Sequence, residues 1–430
     1  MADHAPPLPT AGPDVPDGTA AEPPVRTGRQ AALVFIFVAV TIDTISMGIT
    51  APVLPVLIKH LSGSDQQAGW MNGLFMTVFA LMQFLFSPIL GGLSDRYGRR
   101  PILLLSIAGL GISYAFMGMA TSVWQLLLIR LFTGATSANI ATAFAYIADV
   151  TPSDKRAGAY GMMQAAMSLG FAFGPALGGL LSGFGPSAPF WAAAACSLIN
   201  AAYGFFVVPE SLSKDRRAPF HIRQMGSLRA LAVLTSKPGL LRLGIILALA
   251  QFCVMVFPTD FVLYAQKRYG WSIATVSLCM SGFGVCSAIV QAGLSGKVVR
   301  TFGEGRVVLF GLICGVIGLI SFGLAPTGLF FALAIPVMTL WGTAGPSIQA
   351  MMTRQVSASE QGRLQGANTS LGSFSGILAP LVFGGLYTAV ISTGWGGEAM
   401  LGAPFLLAGA VLAGTLLLTI KAVSTAKVVA

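Results

Sequence analysis

Residues 91–101 read Gly91-Gly92-Leu93-Ser94-Asp95-Arg96-Tyr97-Gly98-Arg99-Arg100-Pro101, a stretch that sets four charges between two long apolar segments. No charged residue occurs in 66–93 or in 102–129. Each flank is therefore long enough to cross about 30 Å of hydrocarbon as a helix. The charged turn between them must lie in water or among lipid headgroups, and its arginines favour the cytoplasmic side of a membrane.

The composition extends this prediction to the whole chain. Of the 430 residues, 55% are apolar and only 9% are charged, and the mean hydropathy is +0.78. These values indicate an integral membrane protein and exclude an ordinary soluble domain. The net charge of +10 is better explained by basic cytoplasmic loops than by nucleic-acid binding.

The apolar runs predict an all-α membrane protein with twelve transmembrane helices in two six-helix bundles. The chain divides at a hydrophilic segment, 209–238, which we interpret as a cytoplasmic linker between a bundle at 31–208 and a bundle at 239–421. Residues 1–30 are interpreted as a disordered cytoplasmic tail and residues 422–430 as a second tail. The predicted spans cover about 31–58, 68–90, 102–120, 123–149, 157–182, 187–208, 239–265, 270–294, 306–324, 327–352, 364–391 and 400–421.

The basic residues predict the orientation. With both termini inside, the cytoplasmic side receives 21 of the 25 Lys and Arg residues. Only Lys59, Lys267 and Arg268 fall outside, and Arg130 lies within a span. This bias predicts a multi-pass membrane protein with both termini in the cytoplasm.

Small residues and prolines recur between the two bundles at a constant offset of 205 positions. The matched pairs are Gly91 with Gly296, Gly98 with Gly303, Gly161 with Gly366, Ser168 with Ser373, Pro175 with Pro380, and Gly179 with Gly384. Two parallel six-span repeats with a site at the midplane between them form a known transporter architecture. The repeat therefore favours a transporter over a channel or a receptor.

The 91–101 stretch matches the pattern GxLxDRxGRR in full and resembles the cytoplasmic loop motif of the major facilitator superfamily. Two further patterns are similar to its twelve-span drug:proton antiporters. Span 4 carries Leu128, Arg130 and Gly134, like the family's motif with an intramembrane arginine. Span 5 carries the antiporter signature GxxxGPxxGG at Gly170, Gly174, Pro175, Gly178 and Gly179.

The resemblance implies roles for these motifs. The loop motif is expected to form a cytoplasmic latch, in which Asp95 faces the N-terminal end of span 11 and Arg99 reaches Asp149 at the end of span 4. The span 5 signature is expected to control the transition between inward and outward states, and it implies export. The latch residues are Gly91, Asp95, Arg96, Gly98, Arg99, Arg100 and Asp149.

Four stretches resemble tetracycline efflux proteins in particular. They are Asp43 with Pro52-Val53-Leu54-Pro55, Tyr146-Ile147-Ala148-Asp149, Pro209-Glu210-Ser211, and the segment from Gln349 to Gly366. In those proteins an acidic residue in span 3, a histidine in span 8 and an acidic residue in span 9 lie on the transport pathway. The corresponding positions here hold Ser113, Ser287 and Gly315.

Asp43 is the only charged residue in span 1, roughly 18 Å from its cytoplasmic end at 1.5 Å per residue. An ionised carboxylate at that depth is costly, so we expect it to line water, to have a partner or to be protonated. A carboxyl that alternates between charged and neutral forms suits proton coupling. The alternative is a structural aspartate bonded to neighbouring backbone or hydroxyl groups.

Arg130 lies at a comparable depth in span 4, roughly 10 Å from the outer surface. We therefore predict an Asp43–Arg130 ion pair, direct or through water, in which Asp43 titrates and Arg130 stays charged. The alternative is an arginine bonded to backbone carbonyls. A second acid, Asp260, is predicted at the solvated outer rim, because it lies roughly 32 Å along span 7 and precedes Lys267 and Arg268.

Uncharged polar residues within the spans are candidates for substrate binding. For each of them, hydrogen bonding between helices is the alternative. They are Gln83, Asn139, Gln164, Gln251, Gln291 and Asn368.

Together with the resemblance, these features predict a proton-driven efflux antiporter of the bacterial inner membrane. It is expected to export amphipathic drug-like compounds, tetracyclines among the candidates, by alternating access. A proton-coupled uptake symporter of a small metabolite and a non-pumping sensor or channel are the alternatives. No nucleophile with a base, phosphate-binding loop or metal-ligand cluster occurs in the sequence, so no enzyme activity, catalytic residue, metal or cofactor is expected. The expected partners are a small-molecule substrate, protons as the coupling ion and membrane lipids, without nucleic acid, and the protein is expected to be a monomer.

Overall fold

The computed structural model describes residues 26–152, 155–217, 231–357 and 360–428. Within these ranges, helices joined by short turns make up the regular structure. The α-helices are α1 (Arg26–Thr50), α2 (Leu54–Ser62), α3 (Asp65–Tyr97), α4 (Arg99–Gly118), α5 (Val123–Thr136), α6 (Asn139–Val150), α7 (Arg156–Leu181), α8 (Ala188–Val207), α9 (Pro238–Val254), α10 (Val256–Tyr269), α11 (Ile273–Ile289), α12 (Ser295–Phe302), α13 (Glu304–Leu324), α14 (Gly328–Thr339), α15 (Ala344–Thr353), α16 (Gln361–Thr393) and α17 (Ala403–Val428).

These helices build the twelve predicted spans and confirm the all-α membrane fold. Among the described residues, 11 helical segments are long and apolar enough to cross a membrane. The shorter apolar helix α11 continues through a π-helical turn, Val290–Leu294, into α12 to complete span 8. Spans 1, 4, 7 and 10 each consist of two helices, namely α1–α2, α5–α6, α9–α10 and α14–α15. The breaks thus recur at equivalent spans of the two halves, α1–α8 and α9–α17.

Most of the first predicted tail, the last two residues of the second and part of the linker lie outside the described residues. Residues 1–25, 218–230 and 429–430 fall in those parts of the chain. The first helix begins at Arg26, five residues before the predicted start of span 1, and the last helix ends at Val428.

The helices run back and forth between two ends of the bundle. We name the end that carries residues 91–101 the motif end. It also carries the linker and the loops after α6, α12 and α15. The far end carries the loops after α2, α4, α7, α10, α13 and α16.

The internal repeat is visible in the backbone at the motif end. Gly98 and Gly303, which match at the offset of 205, have φ angles of 111° and 78°. Each directly precedes a helix, α4 in the first half and α13 in the second. Only glycine adopts such angles readily, so the same turn chemistry links spans 2 and 3 and spans 8 and 9.

Two helix pairs, α3 with α16 and α7 with α11, make the most extensive contacts between the halves, and α10 also contacts α2 and α3. Thr77 Oγ1 donates to the Ile377 carbonyl at 2.8 Å, and the Ala176 N–H donates to Ser281 Oγ at 2.9 Å. Hydrogen bonds between the halves in the described ranges lie between the middle of the bundle and the far end. The halves are therefore in contact on the far side of the midplane.

Prolines matched by the repeat lie at both of these seams. Proline has no N–H, so the carbonyl four residues earlier loses its helical partner. For Pro175 in α7 that carbonyl belongs to Phe171, and a Cβ added at Gly284 of α11 would lie 2.6 Å from its oxygen. The carbonyl of Pro380 in α16 lies against Gly73 of α3. Both matched prolines thus lie at a seam, although the carbonyl that faces the other half is that of Phe171 in α7 and that of Pro380 itself in α16.

Large apolar side chains cover much of the outer surface. Phe206, Phe184 and Leu329 are 83%, 82% and 72% exposed. In water this exposure would be unfavourable, whereas hydrocarbon accommodates it without cost. The outer surface is accordingly suited to a lipid bilayer.

Candidate functional site

Asp43 lies in α1 and is almost fully buried, with 5% of its surface exposed. Its Oδ2 accepts a hydrogen bond from Asn139 Nδ2 at the start of α6. Its Oδ1 is buried and has no hydrogen-bond partner among the described residues. One carboxyl oxygen is therefore held in place while the other has no partner that would compete with a proton.

A break in span 4 brings Asn139 to Asp43. The span leaves helical geometry at Ser137 and Ala138, so α6 begins inside it. The first N–H groups of a helix lack intrahelical acceptors, and its positive end favours a nearby negative charge. Gln83 of α3 donates to Ser137 Oγ at 3.3 Å. Two hydrogen bonds, one from α3 to Ser137 and one from Asn139 to α1, thus lie at the break in span 4. We name the four residues the Asp43 cluster (Asp43, Gln83, Ser137 and Asn139).

Arg130 of α5 is not ion-paired with Asp43 in the part of the chain that the structure describes. Its guanidinium carbon lies 5.4 Å from the centroid of the Phe79 ring, a cation–π distance. Its Nε is buried without a hydrogen-bond partner. The direct form of the predicted ion pair is therefore not formed among these residues, and the water-bridged form stays a prediction.

Tyr114 of α4 is a site residue that the sequence patterns did not reveal. Its side chain is buried, and its phenol interacts electrostatically with both Asp43 and Arg130. It follows Ser113, the position at which tetracycline exporters carry an acid and whose hydroxyl here donates to the Gly109 carbonyl at 2.8 Å. A phenol in an otherwise apolar span, next to that position, is the signal that could have identified it.

The glycines of the span 5 signature pack α7 against α1, the helix that carries the buried aspartate. A Cβ added at Gly174 would lie 2.6 Å from Gly48 Cα and 2.8 Å from the Ile45 carbonyl oxygen. Gly170 and Gly178 also face α1. Because the atoms they meet include backbone, the two helices approach as closely as helices can.

The remaining glycine of the signature faces the other half of the molecule. A Cβ at Gly179 would meet the side chain of Ser277 in α11. One helix therefore contacts the aspartate-bearing α1 on one face and the second half on another. A displacement of α1 would be transmitted by α7 to the seam between the halves.

Arg99 bridges two carboxylates at the motif end. Its Nη1 lies 2.6 Å from Asp95 Oδ1, and its Nε lies 3.0 Å from Asp149 Oδ2. Nη1 also donates to Ser94 Oγ at 3.2 Å. The contact with Asp149 is the one that the family resemblance implies. The other implied contact, of Asp95 with the start of span 11, is not formed within the described ranges, where Asp95 pairs with Arg99.

The other motif residues differ in what they contact. Arg100 Nη2 donates to the Phe205 carbonyl, and its guanidinium carbon lies 5.5 Å from that ring centroid. Arg96 lies 5.2 Å from the Tyr97 ring centroid. A Cβ added at Gly91 would meet nothing within 4 Å. Arg100 therefore holds α4 against the end of α8. Nothing packs closely enough against Gly91 to require a glycine there.

Residues 209–212, which the sequence predicted to begin the linker, dock onto the motif. The Glu210 carboxylate accepts from the backbone N–H groups of Arg99 and of the residue after it, at 2.8 and 3.3 Å. Ser211 Oγ donates to Asp149 Oδ2 at 3.1 Å. The first N–H groups of α4 need acceptors, and a carboxylate at a helix N-terminus is a favourable one. We name residues 209–212 the docking segment.

The remaining substrate-binding candidates fall into two groups. Gln251 of α9 and Asn368 of α16 each have a buried amide oxygen with no hydrogen-bond partner in the described chain. A Cβ at Gly372 of α16 would lie 2.8 Å from Gln251 Oε1, which places Gln251 at the α9–α16 interface. Asn368 lies one helical turn before Gly372, on the same face of α16. Gln164 of α7 and Gln291 in the π-helical turn are exposed.

Asp260 contradicts the prediction of a solvated position at the outer rim. It is only 1% exposed, and both of its carboxyl oxygens are buried without a hydrogen-bond partner among the described residues. Its helix, α10, packs against α3 and α16 near the far end. The prediction was wrong because depth along one helix does not reveal which neighbouring helices cover it.

The span 9 position that is acidic in tetracycline exporters leaves no space for an acid here. A Cβ added at Gly315 would lie 2.7 Å from Leu412 Cδ2 and 2.8 Å from the Trp341 ring. Trp341, in the turn before α15, and Leu412 of α17 thus fill the volume that an aspartate side chain would need.

Comparisons with known proteins are consistent with these features. The sequence matches the profile of the Major Facilitator Superfamily over residues 36–380. It is 36% identical over 371 residues to the class C tetracycline resistance protein of Escherichia coli, covering 86% of this chain and 92% of that protein. It is 29% identical over 375 residues to multidrug resistance protein 2 of Bacillus subtilis (strain 168), covering 86% and 89% of the two chains.

A solved structure shares the fold. The crystal structure of the human organic anion transporter MFSD10 superposes with a TM-score of 0.69 at 22% sequence identity, covering 93% of this chain and 100% of that one. At this identity the likeness concerns the arrangement of helices and not the substrate.

Proposed function

Because the chain belongs to the Major Facilitator Superfamily, we propose that it is a proton-driven efflux antiporter that exports amphipathic drug-like compounds by alternating access. The protein is a transporter of this superfamily and not an enzyme. The observation that carries the proposal is the buried Asp43, held by a single amide in the first half and connected through α7 to the seam between the halves. The names of the two bacterial relatives support drugs as the class of substrate.

Asp43 is the proposed site of proton binding. Ionised, it is complemented by the Asn139 amide and by the positive end of α6. A bound proton removes the charge that these groups complement and weakens the attraction between α1 and α6. Because α1 packs on the signature glycines of α7, and α7 contacts α11, the resulting shift biases the seam between the halves. Tyr114, whose buried phenol interacts with both Asp43 and Arg130, links the two residues, and through it Arg130 modulates this step.

The orientation follows from the distribution of basic residues. We assign the motif end to the cytoplasm, which places both termini there. With the halves in contact on the far side of the midplane, the transport pathway then opens toward the cytoplasm. This is the state from which an exporter collects its substrate, and the open latch between Asp95 and span 11 is consistent with it.

The substrate class follows from the polar groups available. The Asp43 cluster in the first half and the amides Gln251 and Asn368 in the second offer one acid and several uncharged donors and acceptors. Such a set suits large, partly apolar and cationic compounds. Tetracycline stays a candidate through the relatives, although Gly315 removes one acid that tetracycline exporters use.

The function is tested by drug susceptibility in a bacterial host that lacks its own efflux pumps. Cells that produce the intact protein should tolerate amphipathic cationic drugs at higher concentrations than cells without it. The Asp43→Asn variant should lose this protection because an amide cannot carry a proton. Asp215→Asn, which neutralises an exposed acid of the linker, is the matched control and should protect as the intact protein does.

The direction of transport is tested in proteoliposomes with an imposed pH gradient. An antiporter moves substrate against the direction of proton flow, and substrate addition should release protons. Movement of substrate together with protons would identify an uptake symporter instead. Undiminished proton-driven transport by Asp43→Asn, at equal protein levels, would exclude the assigned role of that carboxyl.

A further inference from the structure

Asp260 is a second buried acid, and it lies in the seam between the halves at the far end. The carbonyl of the preceding Thr259 accepts a hydrogen bond from Asn72 Nδ2 of α3, in the other half. Residues 259–265 are all buried. The carboxyl group therefore sits on the segment of α10 that touches the first half.

A third helix completes the surroundings of this acid. The Tyr387 phenol of α16, which is 1% exposed, interacts electrostatically with Asp260. The same ring packs on α3, because a Cβ added at Gly69 would lie 2.9 Å from Tyr387 Cδ1. Asp260 is thus enclosed by α3, α10 and α16, and two of these belong to the second half and one to the first.

No cation neutralises Asp260 within the described chain. The nearby cations have other partners: Lys59 and Lys267 lie 2.6 and 2.8 Å from the Asp65 carboxylate. Arg268 interacts with the phenols of Tyr264 and Tyr269. The remaining titratable groups on elements that pack against this end of α10 are His60, Cys253, Cys279 and Glu398, and none of them forms an ion pair with Asp260.

An ionised carboxylate without partners is among the most unfavourable groups to bury, whereas the neutral acid costs far less. In the closed seam neither oxygen of Asp260 accepts a hydrogen bond from the described residues and no cation pairs with it, and the acceptor Asn72 Oδ1 is also buried without a partner there. Protonation of Asp260 removes the charge and adds a hydrogen-bond donor to a seam in which the acceptor Asn72 Oδ1 has no partner.

We propose that Asp260 is a proton-binding site of the seam, distinct from Asp43, and that the far end closes only when this carboxyl is protonated. When α3 and α16 separate, water reaches the carboxyl and it ionises. Closing the seam therefore takes up one proton from the far side, and opening it releases that proton to the same side. The site requires no substrate, so it goes beyond the proposed export function and does not depend on it.

The linkage sets the direction and size of the effect. Since the closed state binds one proton more than the open state, closure is favoured at low pH and weakens as the pH rises. For one proton the ratio of closed to open molecules falls by at most about tenfold per pH unit. This dependence should disappear in Asp260→Asn, whose amide is neutral at every pH.

Hydrogen–deuterium exchange of the purified full-length protein measures the seam directly. Backbone amides in 66–80 and 376–388 should exchange faster at higher pH, after division by the intrinsic rate at each pH. Asp260→Asn should remove the pH dependence, and Glu398→Gln, which changes an exposed acid at the same end, should retain it. Equal pH dependence in the intact protein and in Asp260→Asn would overturn the proposal.

Infrared spectroscopy tests the proton itself. The spectrum of the intact protein at neutral pH, minus that of Asp260→Asn, should contain the C=O stretch of a protonated carboxyl. If this band is absent from the difference spectrum, the proposal is wrong, whatever effect the substitution has on the fold of the variant. Asp43→Asn separates the two sites: it should keep both the band and the pH dependence of the seam whether or not Asp43 drives export.

Discussion

The contact between α1 and α7 yields the sharpest prediction, because backbone faces backbone there. In Gly174→Ala the new Cβ would lie 2.6 Å from Gly48 Cα. Carbon atoms pack at about 3.5–4.0 Å, so the two helices must separate by roughly 1 Å. Overpacking of this kind costs about 1–3 kcal/mol.

A gain from helix propensity opposes this cost. Replacing glycine by alanine within a helix stabilises it by about 0.5–1 kcal/mol. The expected net loss for Gly174→Ala is therefore between about 0 and 2.5 kcal/mol, with a central value of about 1 kcal/mol. Gly161→Ala is the matched control: it lies in the same helix, and its added Cβ meets nothing within 4 Å. That variant should be unchanged or slightly more stable.

The assay is thermal unfolding of both variants in detergent, followed by transport at equal protein levels. Gly174→Ala should unfold several degrees below Gly161→Ala and transport more slowly, since the displaced α1 carries Asp43. Equal unfolding temperatures and equal transport rates would refute the inference that the signature glycines serve close helix approach.

Three further substitutions test the motif end and the span 9 position. Glu210→Gln should lower the stability of the protein by about 1 kcal/mol, as loss of a helix cap does, and the unfolding temperature in detergent measures it. Arg99→Lys should weaken the latch, because lysine cannot match the forked contacts with two carboxylates; slower transport with intact expression is expected, and unchanged transport would contradict it. Gly315→Asp should destabilise the protein by about 1–3 kcal/mol, because its Cβ already crowds Trp341; improved tetracycline resistance in that variant would show that the site has room after all.

The twelve spans and the burial of Asp43 were predictable from sequence because each depends on one physical contrast. A charge within an apolar run stands out, and hydrocarbon thickness sets the length of a helix that crosses it. The partner of Asp43 was not predictable in the same way. Asn139 reaches it because span 4 breaks at Ser137. Residues 134–139 are small and polar, but they do not reveal that the helix breaks there or toward which neighbour Asn139 then points.

The surroundings of Asp260 and Glu210 could not be predicted from the sequence. Asp260 lies near the end of its span as expected, yet it is buried because α3 and α16 close over it. Glu210 reads as part of a hydrophilic linker, yet it binds two backbone amides of α4. In both cases the outcome depends on contacts between distant parts of the chain, which local composition does not encode.

The docking segment also bears on how the gene can be divided. If the two halves are produced as separate polypeptides and reassembled in the membrane, residues 209–212 must stay with the first one, since they complete the start of α4. A cut before Pro209 would leave those amides without acceptors and expose Asp149, whereas a cut after Arg217 preserves every contact described for this segment. The functional boundary between the halves therefore lies later in the chain than the end of the sixth span.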